Sequence, residues 1–365
     1  MSSTGAPTGS LARPVVILLG LASLVVAAAG MRAFRDTLGP AFLALILVIT
    51  AHPLQARLRR RGVPGWVGII AVMATIYAVL AALVTALVAS VARLVTLLPD
   101  YGTQFDKLRG QGAQWMEDLG VQPGQASTTL GRLDLTKLSG VLLHILSGLT
   151  SVASSLAFLV TLVFFLAIDG ELFSRRLDAV AESRPLLVQA LREFSRNTRR
   201  YLAVSSIFGL IVAALDVLAL HWLAVPLPLL WGLLSFITNY IPNIGFVVGV
   251  IPPALLGLLE GGVARTLWVV AVYSAINMVV QSFIQPKVVG NVVNLSATLA
   301  FLSLVFWAFV LGPLGALLAV PMTLLAKALF IDADPGAQWL RPLLGDTAGE
   351  ATAGEASTPA HPGRE

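Results

Sequence analysis

The 365-residue chain contains no cysteine. That excludes a disulfide framework, a zinc–thiolate or iron–sulfur site and a thiol nucleophile. Charge is also scarce: Asp, Glu, Lys and Arg make up 12% of the residues, against about 25% in a soluble domain. Only four histidines occur (His52, His144, His221, His361). None has metal-ligand spacing, so neither a metal nor a cofactor is expected. No His-Glu-x-x-His motif, phosphate loop or Ser-His-Asp order is present, and an enzyme is not expected.

What is present is apolar. Hydrophobic residues make up 57% of the chain and the mean hydropathy is +0.85. Long apolar runs punctuated by Arg define an all-α, polytopic transmembrane protein with about 7–8 hydrophobic segments, two of them broken or re-entrant. The net charge of +5 and pI of about 9.9 come mainly from Arg beside those runs. There they read as topology information, with the lipid bilayer and not nucleic acid as the partner.

The order along the chain follows. Residues 1–13 form a polar tail. Residues 14–91 hold three spans: 14–30, which a cleaved signal peptide would also fit, 38–54 and 66–91. A short turn from Arg32 to Thr37 is expected between the first two. The cluster Arg57, Arg59, Arg60, Arg61 marks the cytoplasmic side and, one crossing earlier, a cytoplasmic N-terminus in a bacterial inner membrane. Residues 92–146 carry Leu94, Leu97, Leu98, Tyr101, Phe105, Trp115 and Leu119 at mostly three- and four-residue spacing, as in an external amphipathic helical region. Residues 147–330 form the transport core. Its basic loop 169–200, with seven Arg, is again cytoplasmic, and a fifth span is expected over 201–223. Residues 331–365 read as a disordered tail.

Two segments cannot be unbroken helices. Residues 226–260 would reach roughly 50 Å as one helix, against a hydrocarbon core of about 30 Å. The break falls at "NYIPNIG", where Asn239, Pro242, Asn243 and Gly245 gather. Residues 298–330 repeat the grammar, breaking at Gly312, Pro313 and Gly315. Irregular backbone at membrane depth must be covered by protein or reached by water. Paired interrupted segments point to a transporter's solute path; two Pro-kinked spans are the plainer reading. Between them, Asn277, Gln281 and Gln285 repeat every four residues and so share a helix face, which continues to Lys287. That stripe either joins helices or lines a path. Asp216 is a carboxylate inside an apolar run, a candidate proton or cation site unless it lies near the interface beside His221.

Several of these pieces, in order, resemble the autoinducer-2 exporter family of bacterial membrane proteins, also called the PerM-type permeases. They include "HPLQARLRRRGVPGWVGI", "FFLAIDGELF", "LAVPLPLLWGLLSFITNYIPNIGFVVGVIPP", "IQPKVVGNVVNLSATLAFLSLVFWAF" and "LGPLGALLAVPMTLLAKALF", spread over most of 40–330. The resemblance implies an inner-membrane, homo-oligomeric transporter whose members are associated with autoinducer-2 export or sodium–proton exchange. By resemblance Pro242, Asn243, Gly245, Pro286, Gly290, Gly312, Pro313 and Pro321 fall on family motif positions. His52 and Gln285 depart from the pattern, and Gln285 stands where many relatives carry an acidic residue. The expected function is export of a small polar organic solute by alternating access. A cation–proton antiporter, or a non-transporting scaffold recruiting partners through 92–146, are the alternatives.

Overall fold

Leu-, Val- and Ala-rich runs without β-turn punctuation favour helix. The computed structural model, which describes residues 13–119, 140, 158–170, 172–173, 176–241, 244–285, 296–340 and 344, contains only helical regular structure among those residues. In chain order the helices are α1 (Arg13–Ala33), α2 (Arg35–Arg60) and α3 (Gly65–Leu97), followed by a 3₁₀ turn (Leu98–Tyr101) and α4 (Gly102–Asp118). Then come α5 (Phe158–Gly170), α6 (Pro185–Trp222), α7 (Pro228–Thr238) and α8 (Gly245–Asn277), which continues as a π-helix through Ile284. The last are α9 (Ala297–Leu311), α10 (Pro313–Leu317) and α11 (Ala319–Lys327), with a π-helical extension to Asp332.

Three expectations change. The turn expected from Arg32 to Thr37 is one residue, Phe34 (φ −102°, ψ 19°). Reversing a helix takes about two to five residues, so Phe34 bends the chain. α1 packs on α9 more than on α2. Next, the basic stretch expected as a loop is helix from Pro185 onward. α6 is continuous for 38 residues, about 57 Å, and overshoots the hydrocarbon core at its basic end. That end is packed: Ala190 and Phe194 share a buried cluster with Leu324 and Ala328, and Val188 is buried. Finally, the amphipathic region does not begin at a new element. α3 runs unbroken to Leu97. Leu94 and Tyr101 are buried against α6, α7 and α8, whereas Trp115 and Leu119 are exposed. The rest of 120–146 lies outside the described residues, apart from residue 140.

The register of contacts shows how the broken segments fold. Along α6 and α7, Asp216 meets Ser235, Ser205 meets Asn239 and Tyr201 meets Tyr240. Descending numbers on one helix against ascending numbers on the other make the pair antiparallel. The connection is tight, with Ala224 (φ 51°) and Leu227 (φ 56°) in the left-handed region, and the Trp231 indole Nε1 donating to Pro226 O at 2.9 Å pins it. α7 and the first part of α8 then pair antiparallel around 239–244, where Gly249 approaches Ser235 and Thr238.

α8 itself reverses at Gly262 (φ 66°, ψ −164°), a backbone conformation that only glycine adopts freely. Thr266 Oγ1 donates to Ala254 O at 3.3 Å; in a straight helix these residues would stand about 18 Å apart. By length and composition Gly245–Ile284 qualifies as a span of 40 residues, but it is two limbs. The segment 226–260 thus leaves on the side where it entered. It is a re-entrant hairpin with limbs of about 17 Å and 26 Å.

The second broken segment does the same. The Trp307 indole donates to Thr323 Oγ1 at 3.0 Å, a pair that a straight helix would separate by about 24 Å. α9 and α10–α11 are therefore limbs of a hairpin turning at Gly312 (φ 70°).

Candidate polar site at the hairpin tip

α7 ends in Asn239 because Pro242 cannot continue the helical hydrogen bonding of an apolar run. The tip that follows docks on one face of α6. The Asn239 amide donates to Ser205 O at 3.0 Å. The Tyr201 hydroxyl donates to Tyr240 O at 3.0 Å, and the Ser206 and Tyr240 hydroxyls lie 2.7 Å apart. The bond to Tyr240 O satisfies a carbonyl at the break, as membrane depth requires, and the other two tie the tip to α6. Gly209 makes the docking possible, because a Cβ there would lie 2.7 Å from Asn239 Nδ2.

From the other side comes α8. The Gln281 amide donates to Asn239 Oδ1 at 2.9 Å and to Asn277 Oδ1 at 2.8 Å. The Asn277 amide donates to Tyr273 O at 2.9 Å. One chain of amides therefore runs from α8 through Asn239 to α6, and three helices converge on the break. Val204, Phe208, Val212 and Val280 form the apolar cluster beside it. The polar stripe of α8 acts here as interhelical glue, and its target is the broken segment.

Of the residues expected at the site, Asn239, Asn277 and Gln281 are brought together. Gln285 is half-buried at the end of the described part of that helix. Gly245 lies against Thr238, with a Cβ on it falling 2.7 Å from Thr238 C. Gly312, Pro313 and Gly315 are elsewhere: their hairpin packs among apolar side chains, with Leu314 against Gly39 of α2 and Gly315 against Trp307. Ile241 and Ile244 of the first hairpin pack on the apolar cluster that includes Trp307, Leu311 and Leu318 of the second. Pro242, Asn243 and Lys287 lie outside the described residues.

Asp216 is enclosed by protein. It is 0% exposed, and Ser235 Oγ donates to its Oδ2 at 2.5 Å. Among the described residues its Oδ1 and the buried Tyr273 hydroxyl have no hydrogen-bond partner. Ser235 went unread in the sequence although it stands four residues before Asn239, on the same face of α7. Tyr273 likewise extends the four-residue spacing of Asn277 and Gln281 by one turn. A second missed feature is the Lys327–Asp332 ion pair, 3.0 Å long, with side chains 21% and 8% exposed. Among the described residues no cluster of His, Cys, Asp and Glu could hold a metal ion.

Apolar helices long enough to cross a bilayer, two Gly/Pro-tipped hairpins and an amide cluster at one tip define the class: a polytopic helical membrane protein built like a transporter. The family model for "AI-2E family transporter" matches residues 21–333, and the chain belongs to that family. It is similar to "Putative transport protein YhhT" of Escherichia coli (strain K12), with 30% identity over 90% of this chain and 94% of the relative. It is also similar to "AI-2 transport protein TqsA" of the same organism, with 29% identity over 91% of this chain and 95% of the relative. The "Putative transport protein" of Haemophilus influenzae is 29% identical over 90% of this chain and 96% of its own length. The family is one of transporters.

Proposed function

We propose that the protein is a secondary transporter of the bacterial inner membrane that moves a small, uncharged polar organic solute by alternating access past the first hairpin tip. The observation that carries this reading is the amide chain Tyr273–Asn277–Gln281–Asn239–Ser205. It brings neutral donors and acceptors to the tip of an element that enters and leaves on one side. A hairpin hinged on Gly262 and on the 223–227 turn has the form of a gate. Its inner surface offers amides and hydroxyls, which suit a hydroxyl- or carbonyl-bearing solute. The apolar contact of Ile241 and Ile244 with the second hairpin supplies a seam that parts without breaking polar bonds. In this reading Arg57–Arg61 and the basic end of α6 face the cytoplasm.

The relative named as an AI-2 transport protein makes AI-2 the first solute to try. The test is exchange of labelled AI-2 across proteoliposomes holding the purified chain. Exchange should be present in the wild type and strongly reduced in Gln281→Leu, which keeps the volume and removes the bonds to Asn239 and Asn277. Equal exchange in that variant would refute the assignment of the path.

A further inference from the structure

Asp216 takes no part in the amide site at the hairpin tip, and its surroundings are unusual. The carboxyl is fully buried, one oxygen accepts from Ser235, and the other is orphaned. The hydroxyl of Tyr273, within electrostatic reach of Asp216, is also buried and orphaned. Among the described residues the polar groups facing Asp216 are Ser235 from α7 and Tyr273 from α8. His221, five residues on, is exposed. No Lys, Arg or His among the described residues forms an ion pair with it. An ionised carboxylate without a counter-charge is strongly disfavoured in such a place. A hard metal cation would want about six oxygen ligands, and only the carboxyl, one serine and one tyrosine converge here. A proton alone neutralises the group with what is present.

We propose that Asp216 is a proton-carrying carboxyl to which solute movement is coupled, an inference that rests on the transport reading above. The coupling is built into two helices. α7 carries both Ser235, bonded to Asp216, and Asn239, one turn further on at the amide site. α8 carries Tyr273 beside Asp216 and, at successive turns, Asn277 and Gln281. A movement of α7 that opens the tip must also withdraw Ser235 from the carboxyl. In the closed, solute-free form the O–H bond of Asp216 is intact. When the hairpin opens to one side and water enters, that bond breaks heterolytically and the proton passes to water there. The hairpin then closes with solute bound, and the carboxylate regains a proton only from water on the other side, after the solute has left, so one proton crosses for each solute carried the opposite way.

The experiment uses the full chain in proteoliposomes, with AI-2 as the solute probe and infrared difference spectroscopy as a second readout. In the wild type a pH gradient should drive AI-2 uphill, up to about tenfold per pH unit for one proton per solute. A carboxylic-acid carbonyl band should also be present. Asp216→Asn, which copies the shape of the protonated acid, should keep AI-2 exchange, lose gradient-driven accumulation and lose the band. Asp216→Glu should keep coupling with a shifted pH profile. Accumulation surviving in Asp216→Asn, or a wild type driven by sodium and indifferent to pH, overturns the proposal. An absence of AI-2 exchange in the wild type overturns the solute assignment instead, and the infrared band still decides whether Asp216 holds a proton.

Discussion

Gly245→Ala is the sharpest perturbation of the first hairpin. A Cβ at Gly245 would stand 2.7 Å from the carbonyl carbon of Thr238, and still nearer its oxygen, where ordinary contact begins at 3.4 Å. The limbs must therefore part by at least about 0.7 Å. The obstacle is backbone, so no rotamer relieves it. Overpacking of this kind costs about 1–3 kcal/mol or more. Parting the limbs also pulls Asn239 from Gln281 and Ser205, where a membrane hydrogen bond is worth about 0.6 kcal/mol on average and up to about 1.7. The expected loss is about 2–5 kcal/mol, measured by steric trapping or reversible unfolding in detergent–lipid mixtures.

Gly249→Ala supplies the control. There the nearest atom is Thr238 Oγ1 at 3.2 Å, a side chain that yields, and the loss should be under about 1 kcal/mol and recovered in Gly249→Ala/Thr238→Ala. Equal losses at the two glycines, or an undisturbed Gly245→Ala, would refute the close-limbed hairpin.

In the second hairpin Gly315→Ala should behave like Gly245→Ala, because its Cβ would lie 2.6 Å from Trp307 C; thermal unfolding checks it. A double-mutant cycle of Asn239→Ala and Gln281→Ala should give a coupling of about 0.6–1.7 kcal/mol, and additive losses would deny the bond. Because the chain has no native cysteine, single cysteines report topology directly. Cysteines at Pro226 and Gly262 should label from the same side of the membrane, and labelling from opposite sides would make 226–260 a span. Cysteines at Val188, Ala190 and Phe194 should be protected while those at Gln189, Arg192 and Arg196 react, a helical alternation that a loop at 185–200 would not produce.

Composition and punctuation made much of this molecule legible beforehand. The charge-poor runs established membrane helices, and the gathering of Pro and Gly at 239–245 and 312–315 located both breaks, because a run that cannot sustain helical hydrogen bonds must turn somewhere. The spacing of Asn277 and Gln281 revealed a polar face, since periodicity is a property of the chain alone. What periodicity could not supply was direction. Whether a broken helix continues or doubles back depends on which limb packs on which, and only the contacts of Gly257 with Val269, Thr266 with Ala254 and Trp307 with Thr323 decided for hairpins.

The same holds for partners. Asp216 and Ser235 are 19 residues apart and Asn239 and Gln281 are 42 apart; no local rule relates such positions. The basic stretch misled for a related reason. Arg clusters beside apolar runs whether the backbone there is loop or helix, so charge left the form open and packing decided it. The sequence alone thus determined that helices cross a membrane and where they break. Tertiary structure decided that each break is a tip, and that one tip meets an amide chain while a buried carboxyl sits one helical turn away.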